Sequence, residues 1–245
     1  MPEGAYLTVA TWNLYTHVWK TFGYAPYLVA TSPTSSCGKS TLLRLCHRLS
    51  ELALFSGSMT QASLFRIVDA HHPVLLLDEQ DGRLERNEEM RLLLNEGFQS
   101  GQWVMRCVGD DAEPRGFDCF GPKALASIGA LPKTILSRSL VIPMERSREP
   151  LVSLGPDAFP EALTRLQRQA ARWSIDHIEE LGGIPEVPGL DGRLADKWGP
   201  LLAVGQVAGG NWLQRLVGAA QTLDFDDSEE AEHFALLADI GRFLD

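Results

Sequence analysis

Cysteine is sparse in this chain of 245 residues: only Cys37, Cys46, Cys107 and Cys119 occur. None forms a CxxC pair or falls at zinc-site spacing, which excludes a disulfide framework and leaves a reducing compartment as the simplest setting. Positive charge is scarce too. Lys and Arg number 22 against 32 Asp and Glu, for a formal net charge of −10 and a pI of about 5.1. A surface that is basic all over is excluded, so any nucleic acid must be held by local Arg patches or by a channel between copies. No apolar run approaches membrane length, and no basic-then-apolar leader precedes a cleavage site. Internal repeats, low-complexity tracts and heptads are missing as well. What remains reads as a soluble, cytoplasmic chain, with enough apolar residues for one full-size domain and a small one.

The pattern along the chain alternates strands with helices and then turns purely helical. Leu7 to Phe22 is expected to be a helix, with Trp12, Tyr15 and Trp19 recurring at helical spacing. Tyr27 to Thr31 and Val74 to Leu77 are short apolar runs of the kind found in buried parallel strands. Between them lie a helix from Lys39 to about Leu52 and another over Gln61 to Ala70, capped by Thr60. Asn87 caps EEMRLLLNE, which a glycine closes. WVMRCVGDDAEPRGFDCF reads as a hairpin whose tip holds Asp110, Asp111, Pro114 and Gly116. Ala124 to Gly129 and Leu140 to Met144 complete the strands, and helices follow from Pro160 onward. The expected fold is α/β, a parallel sheet sandwiched by helices over residues 1–150, with a small helical lid over 151–245.

The stretch SPTSSCGKSTLL follows the first strand and opens a helix. Free amides at a helix N-terminus, together with the helix dipole, favour an anion there. Pro33, Thr34, Ser35, Ser36, Cys37 and Gly38 supply the loop, Lys39 the cation for β and γ phosphates, Ser40 the hydroxyl for magnesium, and Thr41 a second hydroxyl. Pro33 stands where such phosphate-binding loops usually begin with glycine. It fixes φ near −65° and donates no N–H, which suits a first position that needs neither. A Ser-rich turn capping an ordinary helix would have much the same composition.

VLLLDEQDG decides between them. An apolar strand ends there in two acids, about forty residues beyond the loop, and both features fall at strand C-termini, where open α/β sheets bind ligands. Asp78 is placed to hold Mg²⁺ and Glu79 to accept a proton from the attacking water. Asp81 reads as a turn cap, Cys37 as a loop filler, and the tryptophans as core and lid packing.

With WNLYTHVW, TQASLFRIVD, LLLNEGFQSG, RCVGDD, FGPKALASIGALPKTILSRSLVIPM and GRLADKWGPLLAVGQVAGGNW added, nearly the whole chain resembles a family of AAA-like P-loop ATPases. That family occurs in plasmid, phage and integrated-element proteins, beside primase-polymerase or helicase modules. The resemblance implies an ATP- and Mg²⁺-dependent nucleotide domain with a helical lid, active as a homo-oligomer. It implies that Ser127 is the polar sensor on the strand after the hairpin, the alternative being a small residue packed in a strand. Arg138 corresponds to an arginine offered to a neighbour's γ-phosphate, or else makes a surface salt bridge. Arg193 corresponds to a lid sensor for the γ-phosphate, or else pairs with Asp191 or Asp196. The resemblance also implies a further segment beyond FALLADIGRFLD, so a shortened piece or a short family member is expected.

Two classes of function follow. In the first, the chain hydrolyses ATP within a DNA helicase or loader of a mobile element, and Arg106 and Arg115 on the hairpin touch phosphates of single-stranded DNA. The acidic residues at the tip argue against that contact. In the second, it is a non-motor nucleotide switch or small-molecule kinase.

Overall fold

In the computed structural model, residues 1, 3–56, 59–78, 80, 84, 87–109, 111–129, 131–147 and 160–224 are described. The first strand is β1, Tyr27–Ser32, whose six residues are all buried. Such a strand needs neighbours on both edges and apolar cover on both faces. Four further parallel strands provide the edges: β2 (Ala53–Phe55), β3 (Val74–Leu77), β6 (Lys123–Ile128) and β7 (Ser139–Pro143), in the order β2-β3-β6-β1-β7. Between β3 and β6 the chain forms a separate antiparallel hairpin from β4 (Trp103–Val108) and β5 (Glu113–Asp118).

Pleating divides the core into two halves. Leu28, Ala30, Leu76, Ala124, Ala126, Leu140 and Ile142 face one side; Tyr27, Val29, Leu75, Leu77 and Leu125 face the other. The first face is covered by α1 (Glu3–Tyr15), α2 (Lys39–Leu49) and the C-terminal helices α7 (Gly192–Ala208) and α8 (Trp212–Leu223). On the second lie α3 (Gln61–His71), α4 (Glu88–Glu96) and the short α5 (Lys133–Leu136). The hand of the crossovers explains this division. From β1 the chain runs toward the β2 edge through α2, whereas every later crossover runs back toward β7. A single hand of crossover then requires α2 on one face and α3, α4 and α5 on the other.

Local signals set most element ends. The Thr60 hydroxyl accepts from the Ser63 amide and the Asn87 side chain from Met90, each capping its helix. Three expectations need correction. The first helix runs over Glu3–Tyr15 rather than Leu7 to Phe22, since the Thr16 hydroxyl donates to the Asn13 carbonyl and the chain tightens into a 3₁₀ turn at Trp19–Thr21. The second stops at Leu49, where Ser50 turns extended to enter β2, a strand too short to show any periodicity in sequence. Trp103 is not core packing: it is 55% exposed, on the outer face of the hairpin.

The expected domain boundary at 150/151 falls outside the described residues. Beyond it, α6 (Pro160–His177) leads to α7 and α8, whose Trp198, Leu201, Leu216 and Ala220 share one core with Trp12, Leu28 and Ile142. Among the described residues, no helix is long and apolar enough to cross a membrane.

One buried cation braces the foot of the sheet. Lys123 opens β6 at 1% exposure and donates from Nζ to the carbonyls of Cys119 (2.8 Å), Gly121 (2.8 Å) and Gly97 (3.3 Å). Three acceptors match the three protons of an ammonium. Its head also lies 5.0 Å from the Tyr27 ring centroid. Burial pulls its pKa down from the ordinary 10.5 to about 7, so between those values the unfolded chain binds more protons and stability rises with pH. Lys123→Met strands the three carbonyls. It should lower the unfolding free energy by about 2–4 kcal/mol in urea titrations. It should also remove part of the stability gained by the parent between pH 7 and pH 9; an unchanged pH profile would show that Lys123 does not titrate there.

Candidate functional site

At the carboxyl edge of the sheet, three adjacent strands converge. β1 ends at Ser32, β6 at Ile128 and β3 at Leu77, with Thr31 in register with Ser127 and Leu77 with Leu125. Crossovers leave β1 and β6 in opposite directions, so the mouth between these strands is the topological switch point at which α/β sheets bind ligands.

The loop of residues 33–38 fills that mouth. Thr34, Ser35 and Ser36 are exposed, while Ser32, Cys37 and Lys39 are buried beneath them. Ser36 has φ of +59° and Gly38 of +85°, both left-handed, so the chain doubles back before α2 begins. For the non-glycine Ser36 that geometry is costly and marks a constrained loop. No side chain caps α2. Its first-turn amides are therefore left without a side-chain partner, the condition in which a helix N-terminus can receive an anion.

Lys39 is folded back over this turn. Its Nζ donates to Ser32 Oγ at 2.5 Å and to the Thr34 carbonyl at 3.2 Å, and Ser32 Oγ donates in turn to the Thr34 carbonyl at 2.6 Å. Among the described residues the hydrogen-bond partners of this ammonium, at 9% exposure, are neutral oxygens, which a charged acceptor would outcompete. Cys37 Sγ lies against the carbonyls of Thr34 and Ser35 at 3.4 Å each, as a packed filler. Pro33 is half-buried between Ser32 and the exposed crest, and Ser40 and Thr41 lie half-buried in the first turn of α2.

Asp78 follows β3 directly and is half-buried. The Gln80 amide donates to the Ala126 carbonyl (3.0 Å) and its side chain to the Asp78 carbonyl (2.8 Å), pinning the strand end against β6. Ser127 is buried on β6 beside it. The fold thus assembles Lys39, Ser40, Asp78 and Ser127 at one edge of the sheet. Glu79, Asp81 and Asp110 lie outside the described residues.

Other expected site residues stand elsewhere. Arg106 and Arg115 form a cross-strand pair on the inner face of the hairpin. Arg106 bonds Glu89 at 2.5 Å and covers the Phe65 ring at 4.7 Å; Arg115 reaches Asp69 at 3.2 Å and lies 4.9 Å from the Phe117 centroid. Both therefore clamp the hairpin to α3 and α4, a structural role that stands beside the phosphate contact expected of them. Register is the cause: Val104 and Phe117 must face the core, and every second residue follows them inward. What points outward instead is Trp103, Met105 and Cys107, an exposed stripe with no counterpart in the sequence reading.

Arg138 and Arg193 also lie away from the loop. The Arg138 carbonyl accepts from the Tyr27 amide at 3.1 Å, which puts it at the amino end of β1. Arg193 sits with its Cζ 5.2 Å from the Phe98 ring, which Arg138 shares at 5.9 Å. Of the two alternatives for Arg193, the pair with an acid is a contact present in the structure. The acid is Asp196, at 3.6 Å.

Among the described residues, no cluster of His, Cys, Asp or Glu would hold a metal unaided. A magnesium ion held by Ser40 and Asp78 would need phosphate oxygens to complete its shell, as is usual for that ion.

A family model described as "Protein of unknown function (DUF3631)" matches residues 145–245. No curated protein matches the chain. Among solved structures, the chain is similar to "SCCmec type IV Cch - active helicase", at 11% identity and a TM-score of 0.45, over 95% of this chain and 48% of that one. It is also similar to JCV helicase, at 13% identity and a TM-score of 0.36, over 97% of this chain and 66% of that one. A second JCV helicase structure gives 12% identity and a TM-score of 0.35. The chain spans about half the length of the first and two thirds of the others.

Replacing both Arg106 and Arg115 with Ala should cost about 1–2 kcal/mol of stability in urea denaturation, from two part-exposed ion pairs and two cation–π contacts. Any affinity for single-stranded DNA and its salt slope should stay as in the parent. A flattened salt slope would return these residues to a phosphate backbone.

Proposed function

We propose that this chain is an ATP-binding and ATP-hydrolysing AAA-like module, working in a DNA helicase or loader of a mobile element. The observation that carries the nucleotide reading is Lys39. It is a buried ammonium whose hydrogen bonds among the described residues go to Ser32 and Thr34 of its own loop, at the start of a helix that no side chain caps. That donor set suits a triphosphate, the residues being a cation, backbone N–H groups and a hydroxyl at Ser40.

ATP with magnesium would supply a terminal phosphate for transfer to water. Lys39 exchanges its contacts with Ser32 and Thr34 for phosphate oxygens and so stabilises charge where it builds up. The amides of residues 36–41 would orient the phosphate chain, and Ser40 with Asp78 would hold the metal. Glu79 serves as the proton acceptor for the attacking water, and Ser127 orients that water from β6. Arg138 acts on the nucleotide of an adjoining copy, which makes turnover depend on assembly.

Hydrolysis by the purified protein, over a range of concentrations and with and without single-stranded DNA, tests the whole reading. Turnover should rise faster than linearly with concentration and increase with DNA; linear, DNA-indifferent turnover favours the non-motor switch. Lys39→Ala should lose ATP affinity by calorimetry, and undiminished affinity would remove the central claim. Glu79→Gln should keep ATP affinity while losing turnover by about two orders of magnitude or more; hydrolysis at the parent rate would place the base elsewhere.

A further inference from the structure

We propose that the outward face of α6 binds the sugar–phosphate backbone of single-stranded nucleic acid through Arg165, Arg168 and Arg172. This rests on the DNA half of the reading above and not on its nucleotide half. It names the surface of an acidic chain on which a strand is held.

Helical spacing puts the three arginines on one stripe. Residues i, i+3 and i+7 share a helix face, so these side chains follow one another over about 10 Å, at about 1.5 Å per residue. All three are exposed. The opposite face of α6 is committed to the fold. Gln167 donates from Nε2 to the Ser50 carbonyl at 2.8 Å, just past the end of α2, and Trp173 packs against the core. The stripe is left to solvent.

Many cations of this protein are already engaged by acids: Arg106, Arg115, Arg193, Arg215 and Lys197 each reach a carboxylate. Among the described residues, no carboxylate lies within ion-pair distance of Arg165 or Arg168. Arg172 differs. Asp176, one turn further on, accepts from its Nε at 2.8 Å and lies 2.6 Å from its Nη2. That carboxylate closes one end of the stripe and competes with any other anion for Arg172.

Shape and flanks identify the ligand. A cleft of about 490 Å³ runs along the stripe from Pro160 to Arg172, about 18 Å of helix, with Thr164 and Gln169 between the arginines. An open trough of that length suits a chain laid along it better than a small anion, which needs enclosure. A phosphodiester backbone presents a regular row of negative charges, and each guanidinium fork matches phosphate oxygens. Leu166 and Ile175, 49% and 70% exposed, flank the row on either side. They offer apolar surface to the faces of unstacked bases, which a duplex keeps inside its stack.

Fluorescence anisotropy of the full chain with a labelled oligothymidine of about 20 nucleotides, without ATP and over a range of salt, tests the site. The parent should bind. Arg165→Ala with Arg168→Ala should weaken binding about tenfold or more and flatten the slope of log K against log salt by about 1.4, for two lost phosphate contacts. Arg165→Lys with Arg168→Lys should keep the slope. Asp176→Asn should act in the opposite direction: it releases Arg172, so binding tightens and the slope steepens by about 0.7. Urea denaturation and ATP affinity of the double alanine variant should match the parent's, since both side chains are exposed and remote from the core. Unchanged affinity and slope in that variant, or a parent without affinity for the oligonucleotide, overturns the site and leaves ATP binding at Lys39 standing. Equal affinity for a duplex of the same length overturns the single strand as ligand. Polyglutamate that displaces the oligonucleotide at equal charge gives the face to an acidic peptide and overturns nucleic acid altogether. A protein inert toward ATP that still binds the oligonucleotide through these arginines removes the nucleotide reading and supports this one.

Discussion

Strand β1 is paired in parallel on both edges and buried on both faces, and the rest of the molecule is arranged around that demand. Its neighbours must be parallel, so each connection needs a crossover, and the hand of those crossovers distributes the helices. The carboxyl end of β1 must spill its chain into the gap between two diverging crossovers. A tight loop followed by an uncapped helix at that point places Lys39 beneath the concave turn. The amino end meets the arginine pair. Two charged features at opposite poles of one buried strand thus follow from a single packing constraint.

How much of this was legible in the sequence depended on the range of the interaction involved. The loop, α2, β3 and the caps at Thr60 and Asn87 rest on contacts a few residues apart, and motif, run length and capping chemistry reveal them. The sheet's apolar runs are equally plain, because strands buried on both faces carry no polar interruption. Ser127 reaches the loop's edge because β6 pairs with β1 in a register that its apolar run does not announce.

The contacts that could not be read from the sequence share one cause. Arg106 and Arg115 look like free cations when the hairpin is read alone, yet inner and outer faces are fixed by Phe65, Asp69 and Glu89, which belong to other elements. Trp103 is exposed for the same reason, in reverse. Arg193 is separated by a long stretch of chain from Phe98 and Arg138, and no local pattern relates them. A three-residue strand such as β2 is invisible to periodicity altogether. Charge in this acidic protein is therefore spent in specific places, and which places is a tertiary property.

Lys123 has a mechanical meaning as well as a thermodynamic one. By gripping the carbonyls of Gly97, Cys119 and Gly121, it welds the end of α4, the root of the hairpin and the foot of β6 into one stiff joint. The hairpin is clamped to α3 and α4 further out, so it behaves as a lever with a braced fulcrum and not as a tethered flap. The strand that this joint anchors, β6, runs at its other end to Ser127, directly beside Thr31 at the start of the turn that holds Lys39.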